Sequence, residues 1–209
     1  MNSCSESGRM ALLTLLVVPV ILGCILYLDE PLALLVMQLL QSVHSLQRAS
    51  ANIPDILLIL VCASSAAMWL AYFMLSRQNC SDRRLQFLRV AATAVPTAYL
   101  IKALLQFSFG RTNTRLWLKG AIPMEFSWFH GGGIGCFPSG HMTVFTSFFA
   151  AVCYYYPEYR TPSVGLLLLL AAALVATDYH FLSDVIAGAY LGLLVVYSTR
   201  HCLAGSGRD

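Results

Sequence analysis

Apolar positions along this chain gather into long runs separated by short polar punctuation. Residues 10–28 follow Arg9 without a charge, and Asp29, Glu30 and Pro31 are expected to end the run. It is too long for a signal peptide and no small-residue cleavage site follows, so it reads as a first membrane span. Residues 32–53 turn from apolar to polar, the pattern of a segment lying in a membrane interface. Pro54 and Asp55 open a second span, 55–76, and SRQNCSDRR (76–84) is a polar loop. A third span covers 86–109, with Pro96 and Lys102 inside it. The connection 110–138 is long and holds three glycines at 131–133. A fourth span starts near Ser139 and ends at Pro157, and PEYRTP (157–162) predicts a tight loop. The fifth and sixth spans are 163–178 and 184–200, with Tyr179 and His180 in the short connection between them. The pattern predicts an all-α fold, one membrane domain over 1–209, arranged as a six-transmembrane-helix bundle. No internal repeat or low-complexity segment is visible.

Composition narrows the class. Of 209 residues, 58% are hydrophobic and 11% charged, against roughly 25% charged in a soluble domain. A soluble enzyme, a disordered chain and a disulfide-stapled secreted domain are excluded together. The net charge of +3 comes from scattered arginines, which suits membrane topology and gives no nucleic-acid footprint. Cys4, Cys24, Cys62, Cys80, Cys136, Cys153 and Cys202 are widely spaced without a CxxC pair, so they read as small apolar helix residues and no structural zinc site is expected. With the amino terminus in the cytoplasm, Arg9, Arg77, Arg83, Arg84, Arg89, Arg160, Arg200 and Arg208 lie inside. Arg48, Arg111, Arg115 and Lys119 lie outside with Lys102 close by, a bias of eight against five. Most of those five sit around one loop, which calls for a reason of its own.

Three places on that outer side carry candidate chemistry. Lys102 sits in an apolar span and Arg111 follows in FGRTNTR (109–115). An intramembrane lysine marks a functional site by default, although Lys102 is also near enough to the helix end to snorkel. Pro138-Ser139-Gly140-His141 opens the fourth span. Its serine is an N-cap signal, and the free N–H groups of a helix start suit a phosphate. The plain alternative is a cap with an incidental histidine. His180 and Asp184 are four apart, on one face if the segment is helical, where the carboxylate can fix the imidazole tautomer. Taken alone, that pair also reads as a helix cap. Together the three supply cations and N–H groups for a phosphoryl group, one histidine to attack phosphorus and another to protonate the leaving oxygen. Asp178 and Glu125 are the only other carboxylates in the outer loops after the third span, too few for a two-metal site. No metal and no cofactor is expected.

At these residues the chain resembles the type 2 phosphatidic acid phosphatases (PAP2), membrane enzymes that dephosphorylate lipid phosphates. Pro138-Ser139-Gly140-His141, His180 and Asp184 match that family's motifs in full, the tail Ser183–Gly188 also looks like the family, and the likeness covers about residues 98–192 as a catalytic core. The resemblance implies a PAP2-type helical bundle with His180 as nucleophile, Asp184 as its orienting partner and His141 as general acid. It also implies that Lys102, Arg111, Ser139 and the Gly140 N–H bind phosphoryl oxygens. Two departures stand out. Eight residues separate Lys102 from Arg111 where the family has six, Thr112 replaces a proline and Asn113 stands where a second arginine is common. The arginine expected six residues before His180 is Leu174, with Ala173 in place of its serine neighbour. Arg115, Lys119 and His130 are candidates to replace it, Arg115 foremost because it lies close to Arg111.

The expected partners are a lipid phosphate substrate and the bilayer itself. The expected setting is a bacterial inner membrane with the site facing the periplasm. Phosphatidylglycerol phosphate, phosphatidic acid, undecaprenyl pyrophosphate and lipid A phosphate are candidate substrates. A lipid phosphotransferase with the same intermediate and a degenerate lipid-phosphate-binding member are the alternatives. A transporter is disfavoured by the absence of a repeat.

Overall fold

The structure, a computed structural model, describes residues 3–40, 53–77, 83–120, 123–130 and 135–205. The glycines at 131–133, most of the 76–84 loop, Arg48, Cys80, Arg208 and the interfacial stretch beyond residue 40 lie outside the described residues. Helices account for the regular structure, and among the described residues there is no strand.

The amino-terminal helix departs from expectation. Helix α1 (Ser3–Gly23) passes through a π-helical turn (Cys24–Leu28) into α2 (Asp29–Leu40) without a break. Asp29, Glu30 and Pro31 therefore do not end the first span, and residues 32–40 continue it instead of turning into the interface. The reason is local. Proline crowds the carbonyl one turn earlier and offers it no N–H, and the widened turn just before Pro31 accommodates both defects. Asp29 stays in the helix because it is buried against a cation rather than drawn to water.

Helix α3 (Ile53–Ser76) and helix α4 (Arg83–Phe109) match the expected second and third spans, and Pro96 lies inside α4. A short helix α5 (Thr114–Leu118) follows. Helix α6 (Gly140–Tyr155) has 16 residues, about 24 Å at 1.5 Å per residue, short of the ~30 Å hydrocarbon layer. PEYRTP is not a loop: Pro157–Tyr159 form a 3₁₀ turn that runs straight into α7 (Arg160–Ala176). Pro162 falls in the first turn of α7, where no N–H is required. Helix α8 (Leu182–Gly205) closes the chain. Among the described residues, five helices are long and apolar enough to cross a membrane: 6–39, 59–76, 83–109, 157–176 and 182–204. The expected fourth span, α6, is too short to be counted with them.

Helix α6 is the hub of the bundle and packs on α4, α7 and α8. Small residues permit this. Ala91, Ala94 and Ala98 of α4 are fully buried against Ala151 of α6 and Val195 and Val196 of α8. The α6–α8 contact is closer still. A Cβ on Gly188 would lie 2.6 Å from the Ser139 carbonyl oxygen, and one on Gly192 would lie 2.6 Å from that of Thr143. The two glycines are four residues apart, the spacing that lets membrane helices meet backbone to backbone. Large side chains such as Leu15, Leu26, Leu39, Ile59, Leu168 and Leu169 point outward, as expected where the solvent is lipid.

Gly192→Ala and Gly188→Ala should each force α6 and α8 apart and cost about 1–3 kcal/mol of stability. Gly165→Ala on α7, where a Cβ meets nothing within 4 Å, should not. Thermal unfolding in detergent reads the difference, and equal midpoints for all three variants would refute this account of the contact.

Candidate active site

The site lies where α4, α6 and α8 meet the 110–138 connection. Helix α4 ends at Phe109, and Gly110 turns the chain with φ 55°, a conformation that glycine adopts without a Cβ penalty. The connection then folds back. Thr112 N–H donates to the Glu125 carbonyl at 3.1 Å, Ser127 N–H to Gly110 at 3.2 Å and Phe129 N–H to Ser108 at 2.9 Å. Asn113 caps α5, its side chain accepting from the Arg115 and Leu116 N–H groups. The residue standing in the place of a second arginine therefore shapes the loop.

Ser139 is the N-cap of α6 and accepts from Met142 N–H, while its own N–H donates to the Asp184 carbonyl at 3.0 Å. The starts of α6 and α8 are thereby tied together. Lys102 reaches this point from α4. Its Nζ donates to Gln106 Oε1 at 3.1 Å, and its side-chain end lies 3.0–3.2 Å from where a Gly140 Cβ would be. A side chain at 140 would crowd the lysine and make it shift. Gln106 in turn donates to the Pro138 carbonyl at 3.0 Å. Lys102, Ser139, Gly140 and His141 are thus brought together at the start of α6.

His180 is presented by the end of α7. Tyr179 N–H donates to the Leu174 carbonyl and Asp178 N–H to that of Val175, both at 3.0 Å, with Asp178 at φ 52°. This is a Schellman ending. Leu174 is buried in an apolar cluster with Met142 and Val185, and Tyr179 packs against it. The position where the family carries an arginine is therefore a packing position here, and its backbone holds the turn that carries His180. The His141 and His180 rings lie 6.4 Å apart between centroids, and both side chains are buried. Neither His141 Nε2 nor His180 Nδ1 has a hydrogen-bond partner.

Asp184 is fully buried. Its Oδ2 accepts from Phe181 N–H at 3.1 Å and lies 3.6 Å from His180 Nδ1, while its Oδ1 accepts from Arg111 Nη1 at 2.5 Å. Burial opposes the imidazolium, but the Asp184 carboxylate and the Cys136 sulfur outweigh it and push the His180 pKa up to about 9. Arg111 is only 1% exposed, and its terminal nitrogens go to Asp29 Oδ2 at 2.7 Å, Asp184 and Ser183 Oγ. Arg115 lies on the His180 turn, donating to the Thr177 carbonyl through Nη2 at 2.9 Å and sitting 4.8 Å from the Tyr179 ring centroid. Asp29, Gln106 and Ser183 belong to this constellation and were missed. An aspartate after 19 uncharged residues is itself a sign of a buried partner.

A family model described as the PAP2 superfamily matches residues 87–208. Two curated relatives, the lipid A 1-phosphatases of Rhizobium etli and Rhizobium johnstonii, are each 41% identical over 56 residues. That stretch is 27% of this chain and covers 24% and 23% of theirs, so the matched segment spans about a quarter of those relatives. No solved structure matches the chain.

The raised pKa of His180 fixes the sign of a pH effect. A proton held more tightly in the folded state contributes stability that is complete below the ordinary pKa of 6.5 and is lost as the pH rises through about 9. Nitrogen NMR of histidine-labelled protein should show one ring titrating near 9, and Asp184→Asn should move it down toward the ordinary value. A His180 ring titrating at or below 6.5 would contradict the arrangement.

Proposed function

The chain belongs to the PAP2 superfamily, and on that premise we propose that it is an integral membrane lipid phosphatase working through a phosphohistidine without a metal. The observation that carries the reading is the meeting of two buried histidines beside the capped start of α6, with Lys102 against Gly140. His180, once its ring has released a proton to solvent, attacks phosphorus through the freed nitrogen; a nitrogen–phosphorus bond forms as the bond to the lipid oxygen breaks. His141 gives its proton to that leaving oxygen. Water then attacks the phosphohistidine, His141 takes the water proton, and inorganic phosphate leaves with His180 restored. Asp184 orients His180. Lys102, Ser139 and the Gly140 N–H hold the phosphoryl oxygens, aided by the positive end of α6.

Arg115 fills the role that Leu174 cannot. It reaches the same turn through α5, donating to the Thr177 carbonyl and lying over the Tyr179 ring next to His180. Arg111, with both terminal nitrogens on carboxylates, contributes mainly by holding Asp184.

An apolar cavity of about 530 Å³ supports a lipid as substrate. It runs between α1, α4 and α8 and is lined by Ile21, Leu105, Phe109, Trp128, Phe137 and Pro138 among others. Pro138 belongs both to this lining and to the phosphate end of the site, so acyl chains have an apolar bed beside the place where a headgroup would react. The bond cleaved is a phosphomonoester or a terminal pyrophosphate. The named activity of the Rhizobium relatives makes a lipid A 1-phosphate the first substrate to try. The proposed topology keeps the amino terminus in the cytoplasm, counts α6 as a short sixth span, and turns the site toward the periplasm of a bacterial inner membrane.

Phosphate release from a panel of lipid phosphates, with EDTA present, tests the reading. Purified wild type should turn over, and His180→Ala and His141→Ala should not. Activity that needed added metal, or that survived loss of His180, would sink it. Arg115→Ala should lose about 1.5–3 kcal/mol of phosphate contact, a fall of roughly tenfold to a hundredfold in kcat/KM. Unchanged turnover would remove Arg115 from the site.

A further inference from the structure

We infer that Asp29, from the amino-terminal helix outside the family-matched segment, is a positioning residue that acts through Arg111 to set how Asp184 serves His180. The inference rests on the phosphatase reading for its kinetic tests and on geometry for its premise.

Four charged groups lie in a row: Asp29, Arg111, Asp184 and His180. Asp29 is 1% exposed. It accepts from Arg111 Nη2 at 2.7 Å, from Ser183 N–H at 3.0 Å, and from the Ser183 hydroxyl. Arg111 spans from Asp29 to Asp184, also donating to Ser183 Oγ at 2.6 Å. Asp184 faces Arg111 with one oxygen and His180 with the other, at 3.6 Å. Whatever fixes the guanidinium therefore fixes the carboxylate beside the proposed nucleophile.

Charge makes the coupling directional. One guanidinium stands between two carboxylates in surroundings where charges are little screened. With Asp29 ionised, Arg111 is balanced from behind, and the negative charge of Asp184 remains available to His180. With Asp29 neutral, Arg111 draws on Asp184 alone, and His180 loses part of its partner. The π turn at Cys24–Leu28 makes the contact possible. One extra residue in a turn rotates all that follows by about 100°, and Asp29 is the first residue after it.

A purely architectural clamp between α2 and α8 would have the same contacts, so the test reads the chemistry. His180 is also faced by His141 from α6, Cys136 from the connection, and its neighbours Tyr179 and Asp178, with Arg115 on the same turn and Lys102 beyond His141. None of these changes in Asp29→Asn, which keeps the shape of the side chain.

In Asp29→Asn, kcat should fall by about tenfold to a hundredfold, the usual range for an outer partner that orients a reacting ligand, with KM within about twofold. The inflection of kcat/KM against pH, and the NMR titration of the His180 ring, should both move down from about 9. Wild-type kcat and an unmoved titration in a folded variant would overturn the proposal. If Asp29→Asn does not fold, the double variant Asp29→Asn/Arg111→Gln carries the test, since it leaves no unpaired buried charge. There kcat should fall at constant KM, with the His180 titration at or above that of wild type. A large rise in KM with kcat retained would mean that Arg111 binds phosphate and Asp29 merely neutralises it, which also overturns the proposal. Wild type and His180→Ala are run beside these. Inactive wild type would count against the phosphatase reading, and the ring titration would still decide the role of Asp29.

Discussion

Burial of the Arg111 guanidinium is the constraint on which the rest of this structure depends. Arginine keeps its proton at any accessible pH, so a chain that buries one must bring negative charge to it. Here that charge comes from distant parts of the chain, Asp29 and Asp184. Meeting the requirement explains several features at once. The first helix cannot end at Asp29-Glu30-Pro31, because Asp29 has to be held rigidly against α8. The π turn appears just where it aims Asp29 inward. The 110–138 connection is pinned at its start, and Cys136 N–H returns to the Arg111 carbonyl at 3.0 Å. Breaking such a buried pair on one side costs far more than the pair contributes as a whole. This is a device for placing elements more than for stabilising them.

The second organising contact is apolar and geometric. Gly188 and Gly192 let α8 approach the backbone of α6, and Ser139 N–H meets the Asp184 carbonyl across the join. Two helix starts are thereby set at one level. Each brings unpaired N–H groups and a positive dipole end, and each carries one of the acidic or basic residues of the site within its first turn.

Much of this was legible in the sequence. Hydropathy located α3, α4, α7 and α8 to within a few residues, because a membrane leaves few alternatives to an uncharged helix. Pro-Ser-Gly-His located the start of α6, since cap, glycine and histidine each have a local reason to be there. The His180–Asp184 spacing located the pair. The rest has two causes. Asp29 reads as a helix end in sequence because its partner lies 82 positions away and no local pattern announces it. PEYRTP reads as a loop because two prolines look like breakers, yet both fall where helix starts tolerate them. The close approach at Gly188 and Gly192 depends on the facing backbone of α6, which the spacing alone does not name.

Leu174 is a packing position beside the turn that carries His180. An arginine there would have to leave the cluster with Met142 and Val185 and reach past the turn it sits on. With leucine, the backbone carbonyl still accepts from Tyr179 N–H and the turn still presents His180, and the side chain packs in the cluster. Under the proposed reading, the positive charge is supplied by Arg115, on the short helix that Asn113 caps. The two departures from the family pattern then have one explanation. Asn113 in place of an arginine caps α5, and α5 carries Arg115. Under the proposed reading, the cationic surroundings of the phosphoryl group have been moved from the α7 end to the 110–138 connection, with the two histidines kept where they were.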